Sequence, residues 1–198
     1  MKKFQFILVL ISFMGLILIG CADKSPSPVA PTDQSPTVSL DKKGRVVHQV
    51  VGSGNMKYEG KIIVSTFTAR EYADGTVDGQ YEINMQSLFQ AKEHGNVLSL
   101  KVYYDVPGYG TVAIIGGQIK NSTVPEQLDI YECYVIVDNG KAPDFENWWI
   151  PYLDTREKAE VFWNVDPLDF INGFDTPWGA HWDGASLFPC EMGNFHIK

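Results

Sequence analysis

The chain is poor in histidine and cysteine, which leaves little material for a metal site. Only four of the 198 residues are histidine, and they lie far apart: His48, His94, His181 and His196. No His-Glu-x-x-His pattern occurs, and two thiols as distant as Cys133 and Cys190 lack the paired spacing of a structural zinc site. Phosphate-binding and dinucleotide-binding glycine loops are also missing. We therefore expect no metal and no cofactor.

Basic residues are few as well. The sequence has 16 Lys and Arg against 24 Asp and Glu, a formal net charge of −8. Loss of residues 1–20, which carry two lysines and no acid, would bring the charge to −10. An acidic domain without a basic stripe is not attracted to nucleic acid. We expect no nucleic-acid partner and interpret the acidity as a contribution to solubility.

A catalytic constellation is not recognisable. Gly52-Ser53-Gly54 lacks the Gly-x-Ser-x-Gly spacing of a nucleophile elbow, so a turn serine is expected there. Asp74 and Asp78 resemble only part of a calcium loop, because no bidentate glutamate follows at the required distance. These observations favour a protein without enzymatic activity and predict no catalytic residue.

The N-terminus has the features of an export signal. Lys2 and Lys3 precede an uncharged, mostly apolar run over residues 4–19. Such a run spans about 24 Å as a helix, which is short for a hydrocarbon core of about 30 Å. Length and flanks therefore predict a signal peptide over residues 1–20.

The run ends in Leu18-Ile19-Gly20-Cys21, which resembles the lipobox of bacterial lipoproteins. The resemblance implies a diacylglycerol thioether on Cys21, cleavage before it and acylation (for example with palmitate) of the new amine. Multiple acyl chains anchor a protein stably to a membrane. Ala22 stands where an aspartate would resemble an inner-membrane retention signal, which favours the outer membrane. An ordinary secretory signal and an uncleaved anchor helix are the alternatives.

Residues 21–45 are predicted to form a lipidated, disordered tether. Four prolines lie among serines, threonines and other polar residues here, and such a segment buries too little apolar surface to fold. We expect residues 46–198 to form a single β-rich extracytoplasmic domain.

Apolar residues alternate with polar ones along that domain, as in half-buried antiparallel strands. Tyr81, Ile83 and Met85 share one expected face, and Leu98, Leu100, Val102 and Tyr104 share another. The predicted strands cover residues 46–51, 61–69, 80–86, 97–104, 111–115 and 130–137. A short strand over 193–198 closes the chain. Short strands at this spacing predict an antiparallel β-sandwich or a small β-barrel.

Glycine, Asp and Asn pairs between the strands predict turns. The expected turns are at Gly52–Asn55, Asp74-Gly75, Asp78-Gly79, Gly95-Asn96, Gly116-Gly117 and Asp138–Gly140. Residues 155–163 are the one expected short helix, with Asp154 or Thr155 as its cap. Residues 141–190, rich in tryptophan and proline, are expected to form a long aromatic loop region.

A second resemblance covers most of residues 46–140. The Gly52-Ser53-Gly54 stretch, the Phe67-Thr68-Ala69-Arg70 strand, the Tyr72-Ala73-Asp74-Gly75-Thr76 hairpin and Gly79-Gln80-Tyr81 are similar to a group of uncharacterised bacterial secreted domains. The resemblance implies a compact secreted β domain and implies no activity.

Lipidation of Cys21 would leave Cys133 and Cys190. In an oxidising compartment these two residues favour a disulfide, with two separate buried thiols as the alternative. The bridge would close a loop of about 57 residues and stabilise the fold by about 3–4 kcal/mol.

One aromatic segment is a candidate ligand site. Tryptophans beside acids are typical of sugar sites, where a ring stacks on the sugar and carboxylates hold its hydroxyls. The candidate residues are Trp163, Asp166, Asp169, Asp175, Trp178, Trp182 and Asp183. A packed loop whose tryptophans cover the sheet is the favoured alternative.

The sequence thus predicts a membrane-anchored lipoprotein with a non-enzymatic binding or structural β domain. Its partners would be the membrane, through the lipid on Cys21, and a protein or glycan. The alternative is a carbohydrate-binding or glycan-hydrolysing protein that uses residues 163–183.

Overall fold

The computed structural model describes residues 44–140, 143–147 and 151–198. The predicted signal peptide, Cys21 and almost all of the predicted tether therefore lie outside the described residues, as do Trp148 and Trp149.

The described residues form ten strands and three α-helices. The strands are β1 Val46–Tyr58, β2 Lys61–Tyr72, β3 Val77–Met85, β4 Ala91–Val106, β5 Gly110–Ser122, β6 Tyr131–Asp138, β7 Phe145–Asn147, β8 Phe174–Asp175, β9 His181–Trp182 and β10 Leu187–Ile197. The helices are α1 Gln86–Phe89, α2 Arg156–Trp163 and α3 Pro167–Asn172, and a 3₁₀ turn covers Pro125–Gln127.

Eight strands close into an antiparallel barrel in the order β1-β10-β7-β6-β5-β4-β3-β2. The predicted β class is confirmed. Of the two expected architectures, sandwich and small barrel, the structure has the barrel. Strands β1 to β6 follow one another around the wall, and the C-terminal β10 pairs with β1 to close it. Strands β8 and β9 form a separate two-stranded hairpin.

At the end of β7, the shortest strand of the wall, the side chain of Asn147 continues the hydrogen bonding to β6. Only Glu146 and Phe145 pair with β6 through the backbone. Beyond them, Asn147 Oδ1 accepts a hydrogen bond from Val135 N at 2.6 Å, and its amide nitrogen donates to Cys133 O at 3.5 Å. Asn147 therefore supplies the backbone of β6 with partners that a three-residue strand cannot provide.

The alternation of side chains along the wall creates two apolar clusters. The inner cluster fills the barrel, and its largest side chains are Phe67, Tyr81, Tyr134 and Phe195. The outer cluster lies between the opposite face of β4 to β6 and a layer formed by α2, α3 and the segment leading to β10. The C-terminal aromatic region is thus a second packed layer.

Four predicted turns lie inside strands instead. Gly52–Asn55 belongs to β1, Asp78-Gly79 to β3, Gly95-Asn96 to β4 and Gly116-Gly117 to β5. Aromatic rings explain most of these glycines. A Cβ on Gly95 would lie 2.2 Å from the Tyr81 ring, and one on Gly116 would lie 2.3 Å from the Trp163 ring. These glycines allow aromatic rings to pack directly against the wall. A glycine inside a strand therefore marks a close approach here and not a turn.

The turn at Asp74-Gly75 is confirmed, with Asp74 Oδ1 accepting from the Thr76 amide at 2.9 Å. The turn after β6 and the helix over 155–163 are also confirmed, and Thr155 caps that helix by accepting from Lys158 N. Helices α1 and α3 were not expected. The expected single face of Leu98 to Tyr104 is wrong, because a bulge between Val97 and Ser99 places Leu98 in the outer cluster and Leu100 in the inner one.

The predicted disulfide is not present, because Cys133 and Cys190 are both free and buried. Cys133 belongs to the outer cluster and Cys190 to the inner one, so the barrel wall separates the two thiols. The alternative of two separate buried thiols is the arrangement found. Burial raises the pKa of both thiols, that of Cys190 to about 12, which keeps them protonated.

Candidate functional site

The tryptophans of the predicted sugar site do not share one exposed face. Trp163 is only 2% exposed, and its indole nitrogen donates to Glu132 O at 3.0 Å. Trp182 is half-buried and donates to Phe170 O at 2.9 Å. Trp178, at the tip of the β8–β9 hairpin, is 43% exposed and contacts Phe162. Two of the three rings therefore pack the outer layer.

The four acids of that predicted site have local structural roles or solvated positions. Asp166 caps α3 by accepting from Leu168 N at 2.9 Å, and Asp169 lies in the first turn of the same helix. Asp175 Oδ1 lies 2.7 Å from His181 Nδ1, and Asp183 Oδ1 lies 3.9 Å from His181 Nε2. The structure thus brings Asp175 and Asp183 together around His181 and places Asp166 and Asp169 on α3.

An apolar pocket of about 290 Å³ lies where the outer layer meets the wall. Strands β6 and β7, the turn between β4 and β5, helix α3 and the start of β10 all contribute to it. Its lining residues are Gly108, Tyr109, Val137, Asn139, Phe145, Ile171, Ala185 and Leu187. Sequence reasoning missed this pocket, because its walls come from five segments that only the folded chain brings together.

A cluster of carboxyl and phenol groups occupies the barrel interior. Glu132 on β6 is fully buried, and its Oε2 accepts from the hydroxyls of Tyr81 at 2.5 Å and Tyr134 at 2.7 Å. Glu93 on β4 is also fully buried, and its Oε1 accepts from the Tyr152 hydroxyl at 3.2 Å. Three strands and the segment after β7 therefore converge on two carboxyl groups.

The position of Tyr81 depends on glycine. Its ring lies against Gly95 on β4 and Gly117 on β5, where a Cβ would come within 2.4 Å of ring atoms. The flat ring can therefore lie against the wall and place its hydroxyl on Glu132. Substituting either glycine would displace the donor as well as crowd the core.

Two oxygen atoms of this cluster have no donor. Glu93 Oε2 and Glu132 Oε1 are the only buried side-chain polar atoms without a hydrogen-bond partner among residues 44–140, 143–147 and 151–198. A proton on one carboxyl group makes it a donor, and Glu93 and Glu132 then hydrogen-bond to each other. A proton on the pair thus supplies a donor to a cluster in which two buried oxygen atoms lack one.

Burial and mutual repulsion keep that proton in place. Burial, followed by the charge of Glu93, raises the pKa of Glu132. Burial also raises the pKa of Glu93, which the hydrogen bonds from Glu132, Tyr152 and Gln127 lower in part. Burial and the proximity of a second carboxyl group therefore favour a pair that shares one proton.

A third interior carboxyl group stands apart from this pair. Glu146 on β7 is buried and accepts a short hydrogen bond from the Ser65 hydroxyl. Burial raises the pKa of Glu146 to about 8, so this group is also protonated at neutral pH. Sequence reasoning missed all three acids, although Glu132 has the same strand parity as the inward-facing Tyr134 and Ile136, a signal that could have identified it.

The described residues contain no group of three or more His, Cys, Asp or Glu side chains placed to hold a metal ion. Over the same ranges, no helix is both long and apolar enough to cross a bilayer. No protein-family model, no curated protein and no solved structure matches this chain.

Replacing Glu146 should make the barrel more resistant to alkaline conditions. The folded protein holds the Glu146 proton up to about pH 8, whereas the unfolded chain loses it near the ordinary value of 4.5. Between these values the free energy of unfolding therefore falls as pH rises, by up to about 1.4 kcal/mol per pH unit. Glu146→Gln keeps an acceptor for Ser65 and removes this loss.

We expect urea unfolding to show a gain in stability for Glu146→Gln at about pH 8 that is much smaller at about pH 5. Glu191→Gln, on the exposed surface of β10, is the matched control and should follow the wild type. An equal effect of Glu146→Gln at both pH values would contradict the raised pKa.

Proposed function

We propose that this chain is a lipid-anchored extracytoplasmic protein whose barrel domain is a non-enzymatic binding module. The observation that carries the proposal is the apolar pocket between the barrel wall and the outer layer. The barrel interior holds a continuous cluster of buried apolar side chains. The pocket on the outer face, in contrast, offers about 290 Å³.

The chemistry of the pocket indicates what it would bind. Val137, Phe145, Ile171 and Leu187 supply apolar walls, and Tyr109 and Asn139 bring polar groups to the same site. Its volume is near the lower limit for ligand pockets in proteins, which begin at about 300 Å³. A small apolar group, such as one aromatic ring or a short alkyl chain, fits this volume and lining.

The anchor is supported by the sequence before the barrel. Residues 1–21 combine a basic start, an apolar run and a lipobox-like ending, and strand β1 begins only at Val46. The predicted tether accounts for the residues between Cys21 and this strand. An acidic domain gains little attraction from anionic headgroups, so a covalent lipid would supply its membrane attachment.

Filling the pocket should abolish binding of a small apolar probe. Ala185 is buried in the pocket lining, and Ala185→Leu extends its side chain into the space. With N-phenyl-1-naphthylamine as the probe, we expect at least about a tenfold loss of affinity in a fluorescence titration, because lost apolar contact of a ring exceeds about 1.4 kcal/mol.

Ala180→Leu makes the same chemical change at an exposed position of the outer layer and should bind the probe like the wild type. Thermal unfolding of both variants checks that the fold is retained. Equal probe affinity for Ala185→Leu and the wild type would remove the pocket from the proposal.

Metabolic labelling with palmitate should depend on Cys21. We expect Cys21→Ala to lose the label because the thioether acceptor is gone. Cys190→Ala, which removes a cysteine from the folded domain, should remain labelled. Labelling of Cys21→Ala at the wild-type level would rule out the proposed anchor.

A carbohydrate-directed function is the second candidate, and one observation favours it. Trp178 presents an exposed ring at the hairpin tip, on the same hairpin as the His181 and Asp175 pair. An exposed ring near hydrogen-bonding groups can stack on a sugar and hold its hydroxyls. The packing of Trp163 and Trp182 restricts such a site to this hairpin.

A glycan array with the wild type and Trp178→Ala tests this candidate. If the hairpin binds a sugar, signals present for the wild type should fall with Trp178→Ala. They should persist with Tyr104→Ala, which removes an exposed aromatic ring from β4. Absence of any wild-type signal would exclude the carbohydrate candidate as stated.

A further inference from the structure

Tyr152 connects the buried carboxyl pair to the protein surface. Its hydroxyl donates to Glu93 Oε1 at 3.2 Å, yet the residue is 46% exposed. Its neighbour Leu153 forms a two-bond bridge with Tyr131, with both N···O distances at 2.9 Å. Tyr152 therefore lies between solvent and Glu93, on a segment that is attached to β6 by one bridge.

We propose that the Glu93–Glu132 pair is a proton-controlled latch, and that loss of its proton releases Tyr152 and opens this end of the barrel. The closed state uses every oxygen of the pair. Glu132 Oε2 accepts from two phenols, Glu93 Oε1 accepts from Tyr152, and the shared proton joins the two oxygen atoms that otherwise have no donor.

Among the residues that the structure describes, the groups around the pair offer no positive charge once the proton is lost. They are Tyr81 from β3, Tyr134 from β6, Tyr152 from the segment after β7 and Gln127 from the 3₁₀ turn, and none of them is cationic. Lys92 and His94 flank Glu93 along β4 but alternate to the outer side, where Lys92 pairs with Glu82 at 3.0 Å. Two adjacent carboxylates without a cation repel strongly in a dry interior.

The structure also indicates which part of the barrel should move when the pair loses its proton. Glu132 has two phenol donors from strands of the wall, whereas the phenol bound to Glu93 is Tyr152, which lies outside the strands. Opening the wall would break many ladder hydrogen bonds. Freeing residues 151–153 breaks the Tyr131–Leu153 bridge and the hydrogen bond from Gln127 Nε2 to the Tyr152 hydroxyl, withdraws Leu153 from the outer cluster and admits water to Glu93. We expect local opening at Tyr152 rather than global unfolding.

Hydrogen exchange of the full chain, followed by mass spectrometry, tests the latch. We compare peptides covering Tyr152 and Leu153 at about pH 6 and about pH 9, after correction for the intrinsic exchange rate. Once the pair titrates, the open population should rise about tenfold per pH unit. The wild type should therefore lose at least about tenfold protection in this segment, while amides of β5 paired with β6 keep theirs.

Two glutamine variants separate the latch from general alkaline sensitivity. Glu132→Gln keeps an acceptor for the two phenols and a permanent donor for Glu93, so the segment should stay protected at both pH values. Glu146→Gln removes another buried acid whose hydrogen-bond partner is Ser65, so it should retain the wild-type loss. Tyr152→Phe breaks the contact to Glu93 and should expose the segment already at about pH 6.

The proposal is overturned if wild-type protection at Tyr152 and Leu153 is equal at both pH values. A loss that extends equally over β5 and β6, or one that persists in Glu132→Gln, overturns it as well. If Glu132→Gln does not fold, Tyr152→Phe provides the test. Wild-type protection of residues 152 and 153 in Tyr152→Phe at about pH 6 would overturn the proposal.

Discussion

Closure of the barrel is the constraint on which the rest of the structure depends. When eight strands pair around a ring, every second residue of each strand enters one enclosed interior. Apolar and aromatic side chains fill most of that space, but Ser65, Glu93, Glu132 and Glu146 enter it as well. Because water is excluded, each carboxyl group must find donors or keep a proton. Phenol hydroxyls and the Ser65 hydroxyl donate to these carboxyl groups, and retained protons on Glu146 and on the Glu93–Glu132 pair reduce their charge.

The same constraint explains the glycines of the wall. An aromatic ring inside a narrow barrel can pack against the wall only where the strand has no side chain. Gly95 and Gly117 are such positions for the ring of Tyr81. The hydroxyl at the end of the ring then reaches Glu132. Glycine, ring and acid form one unit, so the polar cluster is a consequence of how the core is packed.

The sequence predicted the elements better than their connections. Period-two alternation identified six strands of the wall, and Thr155 marked the start of α2. Gly95-Asn96 and Gly116-Gly117 were wrongly interpreted as turns, because sequence alone does not show that a ring from another element will lie against these glycines. The same limit applies to the site: Glu93 and Glu132 are 39 positions apart, and only barrel closure joins them.

Cys133 and Trp163 show how the wall separates and also joins the two layers. Along β6, Cys133 points to the outer cluster while Glu132 and Tyr134 point inward, so neighbouring residues belong to different environments. Trp163 packs on the outer face, yet its indole nitrogen binds the backbone oxygen of Glu132. The tryptophan predicted to stack on a sugar instead holds the main chain of Glu132, one member of the buried carboxyl pair. Rearrangement of the outer layer at α2 would therefore act directly on the backbone of Glu132 in β6.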